Sequence, residues 1–400
     1  MLVHGQLLAP EPQGHVAVAV EDGRITAVTP ISASANVPAG ALGGPGATIT
    51  PGLVDIQVNG AFGQDLSDPT ADVAAVCAGL PRFGVTAYLA CVITSPVERY
   101  GPGLDHLAAA MRTSSPGARL LGVHLEGPFL SPRRAGTHTP EWLIAPSAAL
   151  METWIERAPV KVVTLAPELP GAIDLIRQLV ARGVIVAMGH TDATWDEAAA
   201  AAAAGARLGT HLFNAMRPLH HREPGTIGFL LASDLAVSVV AEGHHVDTRI
   251  LGLVGRLKSP DRLVVVTDAL AGLGMPPGRF ELAGVDIVSD GTIGRRTDGT
   301  LSGSVGGLDR SISVLIEAGL SAEDAIRAAT INPARLLGLE ATMGRVAVGR
   351  GADLVVFGAD WTVDATIVGG RIAYRRDAGF SVTSTRLEIG AAVSPGEAAR

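Results

Sequence analysis

The sequence predicts an α/β protein: a (β/α)8 TIM-like barrel carrying a small β-sandwich-like domain built from both chain termini. Three observations lead there. Eight short, near-continuously apolar runs alternate with helical stretches between residues 51 and 343, as expected for parallel strands covered on both faces. Strand-like patterns recur at both ends of the chain, before residue 50 and after residue 344. Ionisable residues stand where several of the apolar runs stop, and in this barrel function gathers at the C-terminal ends of the strands.

In chain order, Val16 to Val20 and Arg24 to Val28 flank the turn Glu21-Asp22-Gly23 and read as a hairpin. Residues 32–47, rich in Ser, Ala, Pro and Gly, read as a loop. The barrel strands are placed at Leu53 to Val58, Val85 to Val92, Leu120 to His124, Lys161 to Ala166, Val184 to Met188, Arg207 to Thr210, Ala236 to Val240 and Leu263 to Thr267. Thr194 with Glu197 forms a capping box before the alanine run Ala198 to Ala204, and Gly205 follows as a stop. Asn332-Pro333 opens another helix, ended by Gly338. Val346 to Phe357 and Ala365 to Tyr374 read as strands. The expected organisation is therefore 1–50 and 344–384 as the two parts of the small domain, 51–343 as the barrel, and 385–400 as a tail. No internal repeat is visible.

The strand exits carry the chemistry. One apolar strand ends in Glu126, stopped at once by Gly127-Pro128. Two others run into His190 and His211. One carboxylate and two imidazoles make a three-ligand set that leaves a metal position open, which distinguishes catalytic from structural zinc sites. A fourth strand delivers Asp268, and an unligated carboxylate beside such a metal is a natural proton shuttle. A single histidine in a 400-residue chain is more often a hydrogen-bonded or surface residue; four polar residues at four strand exits are hard to explain by packing.

Composition narrows the class. The chain is 47% hydrophobic and 18% charged, with a net charge of −8 and no basic stripe with interleaved aromatics, which argues against nucleic acid. An anionic substrate would need local positive groups. Cys77 and Cys91 lie outside any CxxC pattern, so reduced structural thiols are expected. No run of about 18 apolar residues and no basic leader with an apolar core occurs, so a cytoplasmic, membrane-free protein is expected.

The segments PGLVDIQVNG (51–60), HLEGPF (124–129), GHTDAT (189–194), GTHLFNAM (209–216), HREPG (221–225), HHVD (244–247) and VTDAL (266–270) occur in the order found in one family. Together with the C-terminal NPAR and GADLVVF segments, they make nearly the whole chain resemble the amidohydrolase superfamily and, within it, the N-acetylglucosamine-6-phosphate deacetylases. The resemblance implies hydrolysis of the acetamide of N-acetyl-D-glucosamine 6-phosphate to D-glucosamine 6-phosphate and acetate, in amino-sugar catabolism and cell-wall precursor recycling. It implies Glu126, His190 and His211 as metal ligands, Asp268 as general base, and His138 as an aid in polarising the acetyl carbonyl. It further implies Asn214, the Ala215 backbone, Arg222 and His245 as sugar-phosphate contacts near the interface of a homodimer.

At the first strand, where many amidohydrolases carry His-x-His for a second ion, this chain has Gln57-Val58-Asn59. Amides are poor ligands for a borderline metal beside imidazole. One divalent ion per chain is therefore expected, zinc before iron, cobalt or manganese, with Gln57 and Asn59 free to bond water or substrate. Among the remaining polar residues, His244, His220 and His221 read as structural or loop residues. Asp192 is a candidate to orient a ligand imidazole or simply a loop residue. Arg133 and Arg134 form an exposed basic pair or a substrate cover. Three competing functions are set beside this reading: deacetylation of the galacto epimer, an inactive scaffold, and a cyclic-amide hydrolase. The last needs a lysine at the exit of strand four, where Ala166-Pro167-Glu168 stands and Lys161 lies at the wrong end.

Overall fold

Eight parallel strands, each hydrogen-bonded to its neighbours in chain order, form one sheet in the computed structural model, which describes residues 1–8, 12–113 and 116–376. They are β1 (Leu53–Val58), β2 (Val85–Ile93), β3 (Arg119–Glu126), β4 (Val160–Leu165), β5 (Ile185–Met188), β6 (Leu208–Gly209), β7 (Ala236–Val240) and β8 (Leu263–Val266). All eight lie where the apolar runs place them. The register aligns their ends: Ile93 stands opposite Glu126, Glu126 opposite Thr164, Leu165 opposite Met188, and Met188 opposite Gly209. One rim therefore collects the side chains that leave these strands.

The ring is nearly closed. β1 and β8 share no ladder, but Val58 bridges Ala269, and the N–H groups of Asn59 and Gly60 both donate to the Ala269 carbonyl at 2.8 and 3.0 Å. Below that bridge the Asp55 carboxyl accepts from the Thr267 hydroxyl at 2.5 Å. Burial pushes Asp55 up to about 7, more than its hydrogen bonds pull it down. His124 of β3 spans the interior, bonding the Ile56 carbonyl of β1 at 3.0 Å and the Thr164 hydroxyl of β4 at 2.7 Å. Val54, Ile56, Val162, Ala187, Leu208 and Val264 pack into one cluster with Leu336, Leu337 and Leu339, so the barrel is a filled core rather than a pore. The alternate residues Val123, Leu125, Val163, Val186, Val239 and Val265 pack outward with the surrounding helices.

The chain ends meet in a seven-stranded sheet ordered 371–375, 363–368, 354–357, 42–51, 2–7, 14–21, 24–30. Strand 42–51 pairs antiparallel with 354–357 and joins the two termini. Val3, Val16, Val18, Ile49, Leu354, Val356 and Ile367 form its core. The hairpin at Glu21-Asp22-Gly23 forms as expected, with Asp22 and Gly23 at φ 48° and 77°. Three local expectations need correction. Residues from Leu42 onward are strand rather than loop, because Leu42 and Gly43 pair with Val3 and His4 and Thr48 and Ile49 with Gln6 and Leu7. Strand structure begins at Leu354, not Val346. Helix Ile331–Leu336 is capped at Thr330, while Asn332 lies inside it and donates to the Pro260 and Leu263 carbonyls at 2.7 and 2.8 Å. The expected tail 385–400, with 377–384, lies outside the described residues.

One element had no counterpart in the sequence reading. After β8 an antiparallel four-stranded sheet is inserted, with strands 278–282, 285–289, 293–296 and 301–304. It is tied to the barrel rim where the Ser304 N–H donates to the Asp268 carbonyl at 2.9 Å and where Thr137 and Ser302 share a 2.8 Å hydroxyl contact. No helix among the described residues is long and apolar enough to cross a membrane.

Candidate active site

Glu126 ends β3, and the chain leaves β5 and β6 through His190 and His211. His190 and His211 adopt left-handed backbone conformations, φ 47° and 31°, as does Asp268 beyond β8 at φ 51°. Such conformations cost a non-glycine residue of order 1–3 kcal/mol each and cluster at functional sites. They turn all three side chains off the strand direction toward one point. Gly189, just before His190, has no room for a side chain: a Cβ there would stand 2.7 Å from Thr164 and 2.9 Å from Thr210.

Three basic atoms converge. His211 Nε2 lies 2.8 Å from Glu126 Oε1 and 3.1 Å from His190 Nε2, and His190 Nε2 lies 3.3 Å from the same carboxylate oxygen. His190 Nδ1 donates to the Arg134 carbonyl at 2.9 Å, which leaves the lone pair on Nε2, facing the cluster. His138 stands edge-on to His190 with ring centres 4.3 Å apart. Glu126, His138 and His190 each offer a donor atom within 4.8 Å of one another. Four candidate donors thus surround one spot, and the mutual 2.8–3.3 Å separations favour Glu126, His190 and His211 as the tightest set. His138 is more committed elsewhere, since its Nδ1 meets the Thr94 hydroxyl at 2.7 Å and the Thr94 N–H at 3.3 Å.

The electrostatics fit a cation. Burial disfavours the Glu126 carboxylate, but hydrogen bonds and charge from His190 and His211 hold it well below the usual carboxylate range. Burial would push His211 down; its bond to Glu126 and that carboxylate's charge lift it to about 9 instead. A proton on His211 is doing what a metal ion would do, compensating a buried carboxylate. His211 Nδ1 is buried without a partner among the described residues. One carboxylate oxygen and two imidazole nitrogens suit a borderline divalent ion, so these residues fit the group. His138 is held well below its ordinary range, first by burial and then by the neighbouring imidazoles, and is neutral.

Asp268 sits beside this cluster without joining it. Gln57 Nε2 donates to Asp268 Oδ1 at 3.1 Å and to Glu126 Oε2 at 3.2 Å, and Asn59 Nδ2 donates to Asp268 Oδ1 at 2.8 Å. The two first-strand amides, expected to meet water or substrate, instead hold the two carboxylates. Burial first, and Glu126's charge second, raise Asp268 above the ordinary aspartate value.

A cavity opens above, lined by Asn59, Glu126, His138, His190, His211, Asn214, Ala215, His245 and Asp268, and by Leu282, Thr300, Leu301 and Gly303 of the inserted sheet. Every expected site residue except Gln57 and Arg222 borders it. Gln57 lies just beneath, and Arg222 is exposed on the surface, 2.8 Å from His221 Nε2. His220, His221 and His244 are exposed. Asp192 orients no imidazole; it pairs with Arg134, Arg217 and Arg133 at 2.7, 3.2 and 3.4 Å. Arg134 and Arg133 are thereby spent on Asp192 rather than on the cavity.

Sequence reasoning missed Thr94, which follows β2, and Glu242, which follows β7 and bonds His245. Both obey the rule that exposed Glu126: a polar residue directly after an apolar run.

Residues 48–373 match the Amidohydrolase family. The N-acetylglucosamine-6-phosphate deacetylase of Bacillus subtilis (strain 168) is 36% identical over 371 residues, covering 89% of this chain and 92% of that protein. The N-acetylgalactosamine-6-phosphate deacetylase of Escherichia coli O157:H7 is 33% identical over 359 residues, covering 88% and 93%. Among solved structures, a mutant N-acetyl-D-glucosamine-6-phosphate deacetylase from Mycobacterium smegmatis in complex with N-acetyl-D-glucosamine-6-phosphate matches with a TM-score of 0.86 at 34% identity, over 93% of this chain and 99% of that one.

Proposed function

The chain belongs to the amidohydrolase family, and on that premise we propose that it hydrolyses the acetamide of N-acetyl-D-glucosamine 6-phosphate, giving D-glucosamine 6-phosphate and acetate, as a step of amino-sugar metabolism. The observation that carries this reading is the meeting of Glu126, His190 and His211 at one point with an unligated, amide-held Asp268 beside it.

Glu126, His190 and His211 would hold one divalent ion, zinc by preference, with iron, cobalt or manganese able to use the same donors. When bound, such an ion supplies Lewis acidity toward an acyl oxygen and brings the pKa of water down toward about 7. The chain's own residues do the rest. Asp268, fixed through Oδ1 by Gln57 and Asn59, takes a proton from the water whose oxygen attacks the acetyl carbon, and returns it to the amide nitrogen as the C–N bond breaks. Its raised pKa strengthens it as a base. Thr94 holds His138 by Nδ1, so the neutral ring presents Nε2 to the acyl oxygen. Asn214, the Ala215 backbone and His245, all on the cavity wall, bind the sugar phosphate. Arg222 does not reach the cavity of its own chain, and we assign it to the phosphate of a second copy in a homodimer. The setting is cytoplasmic.

The test is acetate release from the two epimeric 6-phosphates side by side. Faster turnover of the gluco substrate, abolished by chelator, supports the reading; preference for the galacto epimer replaces the substrate but keeps the chemistry.

A further inference from the structure

Glu242 lies two residues beyond β7, and its side chain is 3% exposed. Its Oε1 receives two hydrogen bonds from one residue, His245: the backbone N–H at 3.1 Å and Nδ1 at 2.5 Å. Its Oε2 is buried and has no partner among the described residues. Among the described residues no other side chain bonds this carboxylate. A buried carboxylate with one empty oxygen is a costly way to shape a loop, because burying charge disfavours folding unless a partner offsets it. The turn between the two residues is already set by Gly243 at φ 99° and by Asp247, which caps helix 248–257.

The consequence falls on His245. A carboxylate oxygen can only accept, so Nδ1 must carry a proton, and Nε2 is the one ring atom left for the cavity that His245 lines. Glu242 itself does not border the cavity. Burial opposes ionisation of Glu242, yet its bond to His245 holds the carboxyl below the ordinary range, so the negative charge persists at neutral pH. An anionic group entering the cavity would therefore meet Nε2, with the Glu242 carboxylate behind the ring.

We propose that Glu242 is a positioning residue: it locks the His245 ring and tautomer and directs Nε2 at the substrate phosphate, with its own negative charge behind the ring. The assignment rests on the reading of His245 as a phosphate contact given above.

The experiment is a double-mutant cycle with N-acetylglucosamine 6-phosphate and its unphosphorylated counterpart, using Glu242→Gln, Glu242→Ala, His245→Ala and the Glu242→Ala/His245→Ala pair in the metal-loaded enzyme. Glu242→Gln preserves shape and an acceptor for Nδ1–H while removing the charge. It is expected to raise KM for the phosphorylated substrate about tenfold, the scale of one charge-assisted hydrogen bond, with a smaller change in kcat. Glu242→Ala should raise KM at least as much, yet add less than twofold once His245 is alanine. The unphosphorylated sugar should show no KM change. Full additivity of the two alanine variants, or equal losses for both substrates, overturns the positioning role and leaves the phosphate contact standing. An unchanged KM in His245→Ala overturns the phosphate contact itself, and the proposal with it.

Discussion

Asn59 donates its side-chain amide to Asp268 Oδ1 at 2.8 Å, across the seam where β1 meets β8. A second amide, Gln57, donates to the same oxygen at 3.1 Å and to Glu126 at 3.2 Å. Neutral donors can orient two neighbouring carboxylates without discharging either, which a cation at the same place could not do. Donors to the ionised form lower a carboxyl pKa, so removing one raises it. Asn59→Ala should therefore move the acidic limb of the kcat profile to higher pH, because Asp268 must lose its proton to act. An acidic limb that stays put or moves down would show that Asn59 does not tune this group.

Asp268→Asn keeps the shape and removes the base. Turnover should fall about 100-fold or more, the usual scale for losing general base catalysis, while metal content and thermal midpoint hold. Turnover within threefold of the parent enzyme would take Asp268 out of the mechanism.

The Glu126–His211 pair predicts how metal uptake depends on pH. His211 is raised to about 9 by its carboxylate partner, so below that pH the metal-free pair carries a proton that an ion must displace. Uptake near pH 7.5 should release close to one proton, and apparent affinity should rise with pH until His211 deprotonates unaided. Calorimetry in buffers of differing ionisation enthalpy measures this directly; no proton release would mean that His211 is neutral in the free protein or is not a ligand.

Arg222→Ala should weaken the phosphorylated substrate by about 10- to 150-fold, since a hydrogen bond to a charged group is worth about 1.5–3 kcal/mol. Unphosphorylated N-acetylglucosamine should be indifferent. Mixing Arg222→Ala with Asp268→Asn should then restore activity through hybrid dimers in which one site has both groups. An absence of restored activity in a mixture shown to contain hybrids would place Arg222 in its own subunit's site.

Much of this was legible because parallel barrel strands are largely apolar, so that Val184 to Met188 or Leu263 to Val266 stand out as unbroken runs and any ionisable residue at their ends is conspicuous. Glu126, His190, His211 and Asp268 were found that way. The partners of Gln57 were not: periodicity says which face an amide shares, but not that its partners are Glu126 and Asp268, 69 and 211 residues away. The inserted sheet escaped because its short strands are solvent-facing, with Arg279, Glu281, Asp286 and Arg295 interrupting the apolar pattern. Asp192 stayed open between two readings because a carboxylate two residues after His190 looks like an imidazole partner, whereas three arginines from elsewhere in the chain claim it.

The proposed mechanism requires one catalytic ion, with Glu126, His190 and His211 as its ligands. Its most direct test is acetate release from N-acetylglucosamine 6-phosphate by chelator-stripped enzyme as a divalent ion is titrated back. The account predicts negligible activity without metal and a linear rise that breaks at one equivalent per chain. Full activity in the stripped enzyme, or a rise that continues to two equivalents, would contradict it.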